Sequence, residues 1–110
     1  MKTEPLILTD ANFASEVLTS PVPVLVFFWA PWCGPSLSMS QVIADMADTY
    51  KADMVVGTVD VDDNYHTAKR YNILTIPTTL YFHKGKPLEQ VNGVANRKML
   101  ERRIKNALIE

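Results

Sequence analysis

Val24-Leu25-Val26-Phe27-Phe28-Trp29, running into Ala30-Pro31-Trp32-Cys33-Gly34-Pro35-Ser36, is the stretch that decides the architecture. Six apolar residues in a row, rich in β-branched and aromatic types, are the pattern of a strand buried on both faces, which belongs in the middle of a sheet. Past the loop, Met39, Val42, Ile43, Met46, Ala47 and Tyr50 recur at helical spacing. A long amphipathic helix therefore follows the central strand directly.

Upstream, Leu6-Ile7-Leu8 reads as a short strand. Thr9-Asp10-Ala11-Asn12 offers capping groups for a helix running to about Leu18, which the turn Ser20-Pro21-Val22-Pro23 ends. Downstream, Val55 to Val61 reads as a strand, and Asp62-Asp63-Asn64 is placed to cap a short helix containing Ala68 and Tyr71. Thr78-Thr79-Leu80-Tyr81-Phe82 and Glu89-Gln90-Val91, joined through Lys84-Gly85-Lys86, read as a hairpin. Asn96 caps a last helix with Met99, Leu100, Ile104, Ala107 and Leu108 on one face. The order is βαβαβα followed by ββα, which predicts an α/β fold: a mixed sheet of about five strands with about four helices spread over both faces.

A chain of 110 residues with 47% apolar content has room for one core, so residues 1–110 read as a single domain without repeat, low-complexity segment or linker. The net charge of -1 gives no reason to expect nucleic acid, an anionic membrane or a strongly charged substrate. No apolar run approaches the ~20 residues that span a bilayer, and Met1-Lys2-Thr3-Glu4-Pro5 does not open a secretory leader. With a single cysteine there is no internal disulfide, and the expectation is a cytoplasmic monomer.

That cysteine carries the chemistry. Loops at the C-terminal ends of strands are where such folds build their sites. Cys33 falls at or just before the first turn of the long helix, where free backbone N–H groups and the positive end of the helix dipole favour a thiolate over a thiol. A lone intracellular cysteine is more often a small core residue. Here Trp32 on one side and Gly34-Pro35 on the other argue instead for an accessible nucleophile.

The segment is similar to the Trp-Cys-Gly-Pro-Cys motif of the thioredoxin family, with Ser36 in place of the last cysteine. The likeness covers the whole chain: Val24-Leu25-Val26 ahead of Phe28-Trp29-Ala30, Tyr71 and Ile73 ahead of Ile76-Pro77-Thr78, the Phe82 to Gly85 turn, and Gly93. The resemblance implies a protein-disulfide oxidoreductase with no cofactor and no metal, with disulfide-containing proteins as substrates and a flavin- or ferredoxin-linked reductase as partner. It also implies a cis Ile76–Pro77 bond facing Cys33, in a shallow apolar surface completed by Trp32, Gly34, Pro35, Thr75, Gly93 and Val94. Without the resemblance a trans proline is the default. Trp29, at the end of the buried strand, fits a core role better than Trp32.

Ser36 departs from the pattern. One thiolate forms a mixed disulfide with the substrate and a second thiol releases it; a serine hydroxyl is barely ionised at neutral pH and does not take the second step. The family also tends to bury an aspartate in the central strand beside a lysine of the next, and those positions are Phe27 and Thr58 here. Losing both together avoids leaving either charge alone in an apolar interior. Gln41 stands where many relatives have a kinking proline. The intact Trp-Cys-Gly-Pro segment favours an engineered Cys→Ser change, which is the expectation, while Phe27 and Thr58 favour a natural monothiol protein. The alternatives are a glutathione-dependent monothiol enzyme, for which no anionic pocket is evident, and a redox-inactive peptide-binding module. Asp60, Asp62, Asp63 and His66 read as a solvated acidic loop rather than a metal site. His83 reads as an edge residue, and Arg97-Lys98 with Arg102-Arg103-Lys105 as the outer face of the last helix.

Overall fold

A computed structural model describes residues 1–109, with side chains described as far as Ala107. Strands β1 (Leu6–Leu8), β2 (Val24–Trp29), β3 (Val55–Asp60), β4 (Thr78–His83) and β5 (Lys86–Asn92) form one sheet in the order β1-β3-β2-β4-β5. Helices α1 (Gly34–Thr49), α2 (Tyr65–Arg70) and α3 (Arg97–Ile109) and a π-helical segment, Ala14–Leu18, complete the fold. β2 is central. It runs parallel to β3 and antiparallel to β4, with Phe27 paired to Thr58 on one side and Thr79 on the other.

Period-two alternation along β2 sends its side chains to two cores. Leu25 and Phe27 join Met39, Ile43 and Met46 of α1 and Leu100 of α3 on one face. Val24, Val26 and Phe28 join Phe13, Val17, Leu80 and Phe82 on the other, with Tyr71, Ile73 and Ile76 packed against them. Both faces are covered, which is why the whole of β2 from Val24 to Phe28 is buried.

Several local expectations are corrected. The N-terminal helix narrows to the π-helical segment, although Thr9 and Asn12 do cap its approach: the Thr9 N–H donates to Asn12 Oδ1 at 2.7 Å and the Asn12 N–H to Thr9 Oγ1 at 3.2 Å. β5 starts at Lys86, because the chain reverses within the two residues Lys84 (φ 54°) and Gly85 (φ 80°). Gly85 also lacks room for a side chain, since a Cβ there would lie 2.9 Å from the Leu18 carbonyl oxygen. In α3, Asn96 caps as expected, accepting from the Met99 N–H at 2.9 Å. Leu100 is buried and Ile104 and Ala107 pack on the core, but Met99 points outward, one residue off that stripe; the Leu108 side chain lies outside the described residues. Arg103 does not lie free on the outer face of α3 but reaches Glu89 and the Gln90 carbonyl on β5.

The cap of α2 comes from a distance. Asn64 precedes the helix without capping it, because its side chain donates to the Asp60 carbonyl and accepts from the Asp10 N–H. Asp10 supplies the cap, its carboxylate accepting from the Thr67 N–H at 2.8 Å, the Thr67 hydroxyl at 2.6 Å and the His66 N–H at 3.4 Å. Tyr71 follows the helix rather than lying in it. Desolvation by the neighbouring chain works to raise the Asp10 carboxyl, but the Thr67 and His66 contacts outweigh it and hold the carboxyl below its ordinary value. A carboxyl depressed on folding contributes stability above the unfolded value of ~3.9 and loses it as the pH falls through the folded value. Asp10→Ala is expected to cost about 1 kcal/mol at neutral pH. In urea unfolding, the gap between the two proteins should close below about pH 4.

Candidate functional site

β2 ends at Trp29, and the loop that follows places Cys33 as the N-cap of α1. The Cys33 N–H donates to the Ala30 carbonyl at 3.1 Å, and its own carbonyl accepts the first helical bond, from Leu37 at 3.1 Å. Pro35 sits in the opening turn, where a missing N–H costs nothing. With φ −97° and ψ 105°, Cys33 is extended. The side chain turns inward, and Sγ lies 3.9 Å from the Ile76 carbonyl oxygen. The residue is 9% exposed. The accessible cysteine anticipated from its flanking residues is therefore mostly covered, sitting beneath a loop distant in sequence.

That loop is Thr75-Ile76-Pro77, and the Ile76–Pro77 bond is cis. The Thr78 hydroxyl donates to the Thr75 carbonyl at 2.7 Å, and the Gly93 N–H donates to the Pro77 carbonyl at 2.7 Å. Gly93 adopts φ 86° with open space where a Cβ would point, so the backbone angle and not crowding requires glycine. Cys33, Ile76-Pro77 and Gly93 thus form a connected row. Gly34, Pro35 and Thr75 are exposed along it, Ile76 and Gly93 are half-buried, and Pro77 is buried. Trp32, Leu74 and Val94 present large apolar surfaces at 68%, 82% and 63% exposure. Trp29, by contrast, is half-buried against the α1 core.

Trp32 is held rather than free: its indole N–H donates to Asp62 Oδ2 at 2.7 Å. Asp62 in turn donates its backbone N–H to Asp60 Oδ1 at 3.0 Å, so two members of the acidic loop are engaged in positioning. The sequence held a signal for this contact. Trp29 pairs with Asp60 in the parallel β2–β3 ladder, so residues just past the two strand ends lie side by side. Asp62→Ala is expected to leave unfolding within about 0.5 kcal/mol, as for most exposed changes. It should, however, shift the Trp32 indole N–H resonance and speed its exchange with solvent.

Behind Cys33, Ser36 is wholly buried, and its Oγ has no hydrogen-bond partner among the described residues; Thr79 Oγ1 shares that state. An unpaired buried hydroxyl costs about 1–3 kcal/mol. A thiol is a weaker donor and acceptor and forfeits less there. Phe27 is fully buried between Thr58 and Thr79, so no carboxylate stands behind the motif. Gln41 lies inside an unbroken α1, donating to Asp45 at 3.0 Å.

A sheet ending in a cysteine N-cap, with a cis-proline loop laid across it, defines the class of proteins that carry out thiol–disulfide chemistry at a helix start. The comparisons go further. The thioredoxin family model matches residues 4–106. The thioredoxin of Mycobacterium tuberculosis is 36% identical over 97% of this chain and 92% of its own length. That of Chlorobaculum thiosulfatiphilum is 40% identical over 87% and 89%, and thioredoxin 1 of Nostoc sp. 39% identical over 92% and 94%. The chain belongs to the thioredoxin family, and its function is that of an oxidoreductase acting in redox chemistry.

Proposed function

We propose that residues 1–110 act as one unit, a thioredoxin-type protein-disulfide oxidoreductase whose Cys33 is the nucleophile and whose Ser36 stops the reaction halfway. The observation that carries this reading is the position of Cys33 Sγ at the start of α1, 3.9 Å from the carbonyl of the cis-proline loop. The Cys33 thiolate attacks one sulfur of a substrate disulfide. A bond forms between Sγ and that sulfur, and the other sulfur leaves as a thiolate that takes up a proton. Trp32, Gly34, Pro35, Thr75, Ile76, Pro77, Gly93 and Val94 line the surface that receives the substrate chain.

The adduct persists until an outside thiol attacks it, a thiol that a reducing cytoplasm supplies. In the dithiol form a flavin- or ferredoxin-linked reductase would recharge the protein. The intact motif and the unpartnered Ser36 hydroxyl both support reading Ser36 as a Cys→Ser exchange at the resolving position.

The test is covalent capture. Mixed with a disulfide-bonded test protein, this chain should form a one-to-one adduct at Cys33, read by intact-mass spectrometry and reversed by excess dithiol. Cys33→Ser should form none. Partner affinity unchanged by Cys33→Ser, with no adduct in either protein, would point to a peptide-binding module instead. The pairing of Phe27 with Thr58 in the β2–β3 ladder, where the family has an acid and a base, favours a second reading, a natural monothiol protein resolved by glutathione. Faster release of the adduct by glutathione than by other monothiols of similar acidity would mark that case.

A further inference from the structure

Among the described residues, no backbone-to-backbone hydrogen bond engages Leu74, Thr75 or Ile76, and Pro77 has no N–H to give. What ties this segment to the sheet is a side chain: the Thr78 hydroxyl donates to the Thr75 carbonyl at 2.7 Å. Thr78 is wholly buried and opens β4, paired with Phe28 of β2 on one side and Asn92 of β5 on the other. Asn92 Oδ1, which accepts from Gln90 Nε2 at 2.8 Å, stands 3.4 Å from the same hydroxyl. We propose that Thr78 is a positioning residue for the thiol–disulfide chemistry, its hydroxyl setting where Ile76 stands over the Cys33 sulfur. This role rests on the reading of Cys33 as the nucleophile.

The hydroxyl lies three residues beyond the carbonyl it holds, so the bond closes the turn around Ile76-Pro77. The far end of that turn is fastened separately, by the Gly93 N–H on the Pro77 carbonyl. Without the Thr78 bond, the part before Pro77 is left to packing alone, and Thr75 is exposed and Ile76 only half-buried. The Ile76 carbonyl is the group 3.9 Å from Cys33 Sγ, part of the cover that leaves Cys33 9% exposed. A substrate chain has to lie along the same segment for its sulfur to reach Sγ, and attack is sensitive to misplacement on the order of 1 Å. The hydroxyl therefore has two effects of opposite sign. It restricts small reagents at Cys33, and it orders the surface that a protein disulfide must match.

The test compares the intact chain with Thr78→Val, which keeps the volume, and Thr78→Ser, which keeps the hydroxyl. Two rates are read: capture of insulin as a mixed disulfide at Cys33, followed by intact mass, and alkylation of Cys33 by iodoacetamide. Thr78→Val should slow capture roughly tenfold, the worth of one hydrogen bond, while speeding alkylation. Thr78→Ser should return both rates to the parent's. A purely structural loss would not drive the two rates apart. In the parent itself, the Thr78 hydroxyl proton should exchange slowly enough with water to be seen by NMR, a readout that needs no variant to fold. The proposal fails if Thr78→Val captures insulin at or above the parental rate, if both rates fall together, if Thr78→Ser does not restore them, or if the hydroxyl proton exchanges freely. A parent that forms no insulin adduct would instead count against the oxidoreductase reading. In that case, iodoacetamide reacting with Thr78→Val no faster than with the parent would overturn the positioning role as well.

Discussion

Ser36→Cys is expected to convert a protein that halts at one adduct into one that turns over. In the structure, position 36 lies at the third residue of α1, one helical turn from the Cys33 N-cap. In the first turn of a helix these two positions face each other, the geometry that lets capping side chains interact reciprocally. A thiol at position 36 would attack the mixed disulfide from within the same turn. Well-oriented intramolecular attack has effective molarities reaching ~10⁵ M, so the revertant should exceed resolution by a millimolar external thiol by at least about a hundredfold. The assay is single-turnover reduction of a protein disulfide by the pre-reduced protein with no external thiol present, with intermediates followed by mass. The same variant should unfold at higher denaturant, since it removes the unpaired hydroxyl and about 1 kcal/mol or more of unmet desolvation. A revertant no faster than the parent would mean that Phe27 and Thr58 mark a protein that has left dithiol chemistry.

Phe27→Asp, which restores the family's usual acid in the central strand, is expected to unfold the protein or nearly so. Phe27 is fully buried and is among the largest wholly enclosed side chains. Truncating a buried aromatic costs about 3–5 kcal/mol by itself. A carboxylate left in that space must also ionise unpaired or accept a proton, adding several kcal/mol. The register pairs Phe27 with Thr58, so Phe27→Asp combined with Thr58→Lys should recover part of the loss in urea unfolding. Equal stability of Phe27→Asp and the parent would show that the core repacks around an acid, and that Phe27 is not what excludes one.

The central strand was readable because both its faces are buried, which leaves an unbroken apolar run in the sequence. α1 was readable because Met39, Ile43 and Met46 repeat on one face over its length. β5 was harder: an edge strand with mostly exposed side chains has no reason to alternate, so Lys86-Pro87-Leu88 carried no strand signal. The π-helical winding of Ala14–Leu18 is a backbone property that apolar spacing does not encode. Asn64 has the right chemistry to cap a helix but is diverted by Asp10, 54 residues away. At the candidate site, the place of Cys33 and Ser36 at the start of α1 was legible, while the meeting of Cys33 with Ile76-Pro77 was reached only through family resemblance. The burial of Cys33 was not legible, because the loop that covers it is 43 residues on.

The reach of Asp10 across 57 residues to Thr67 bears on the order in which the molecule assembles. A helix of six residues is far below the length that holds together alone in water. The first N–H groups of α2 find their acceptor only after the segment behind β1 has come into place, so neither piece gains its full stability without the other. Opening of the N-terminal segment and fraying of α2 should therefore be one event. Amide exchange at Asp10 and Thr67 should report a common free energy, and proteolytic clipping near the N-terminus would loosen a helix more than fifty residues away that the protease never touched.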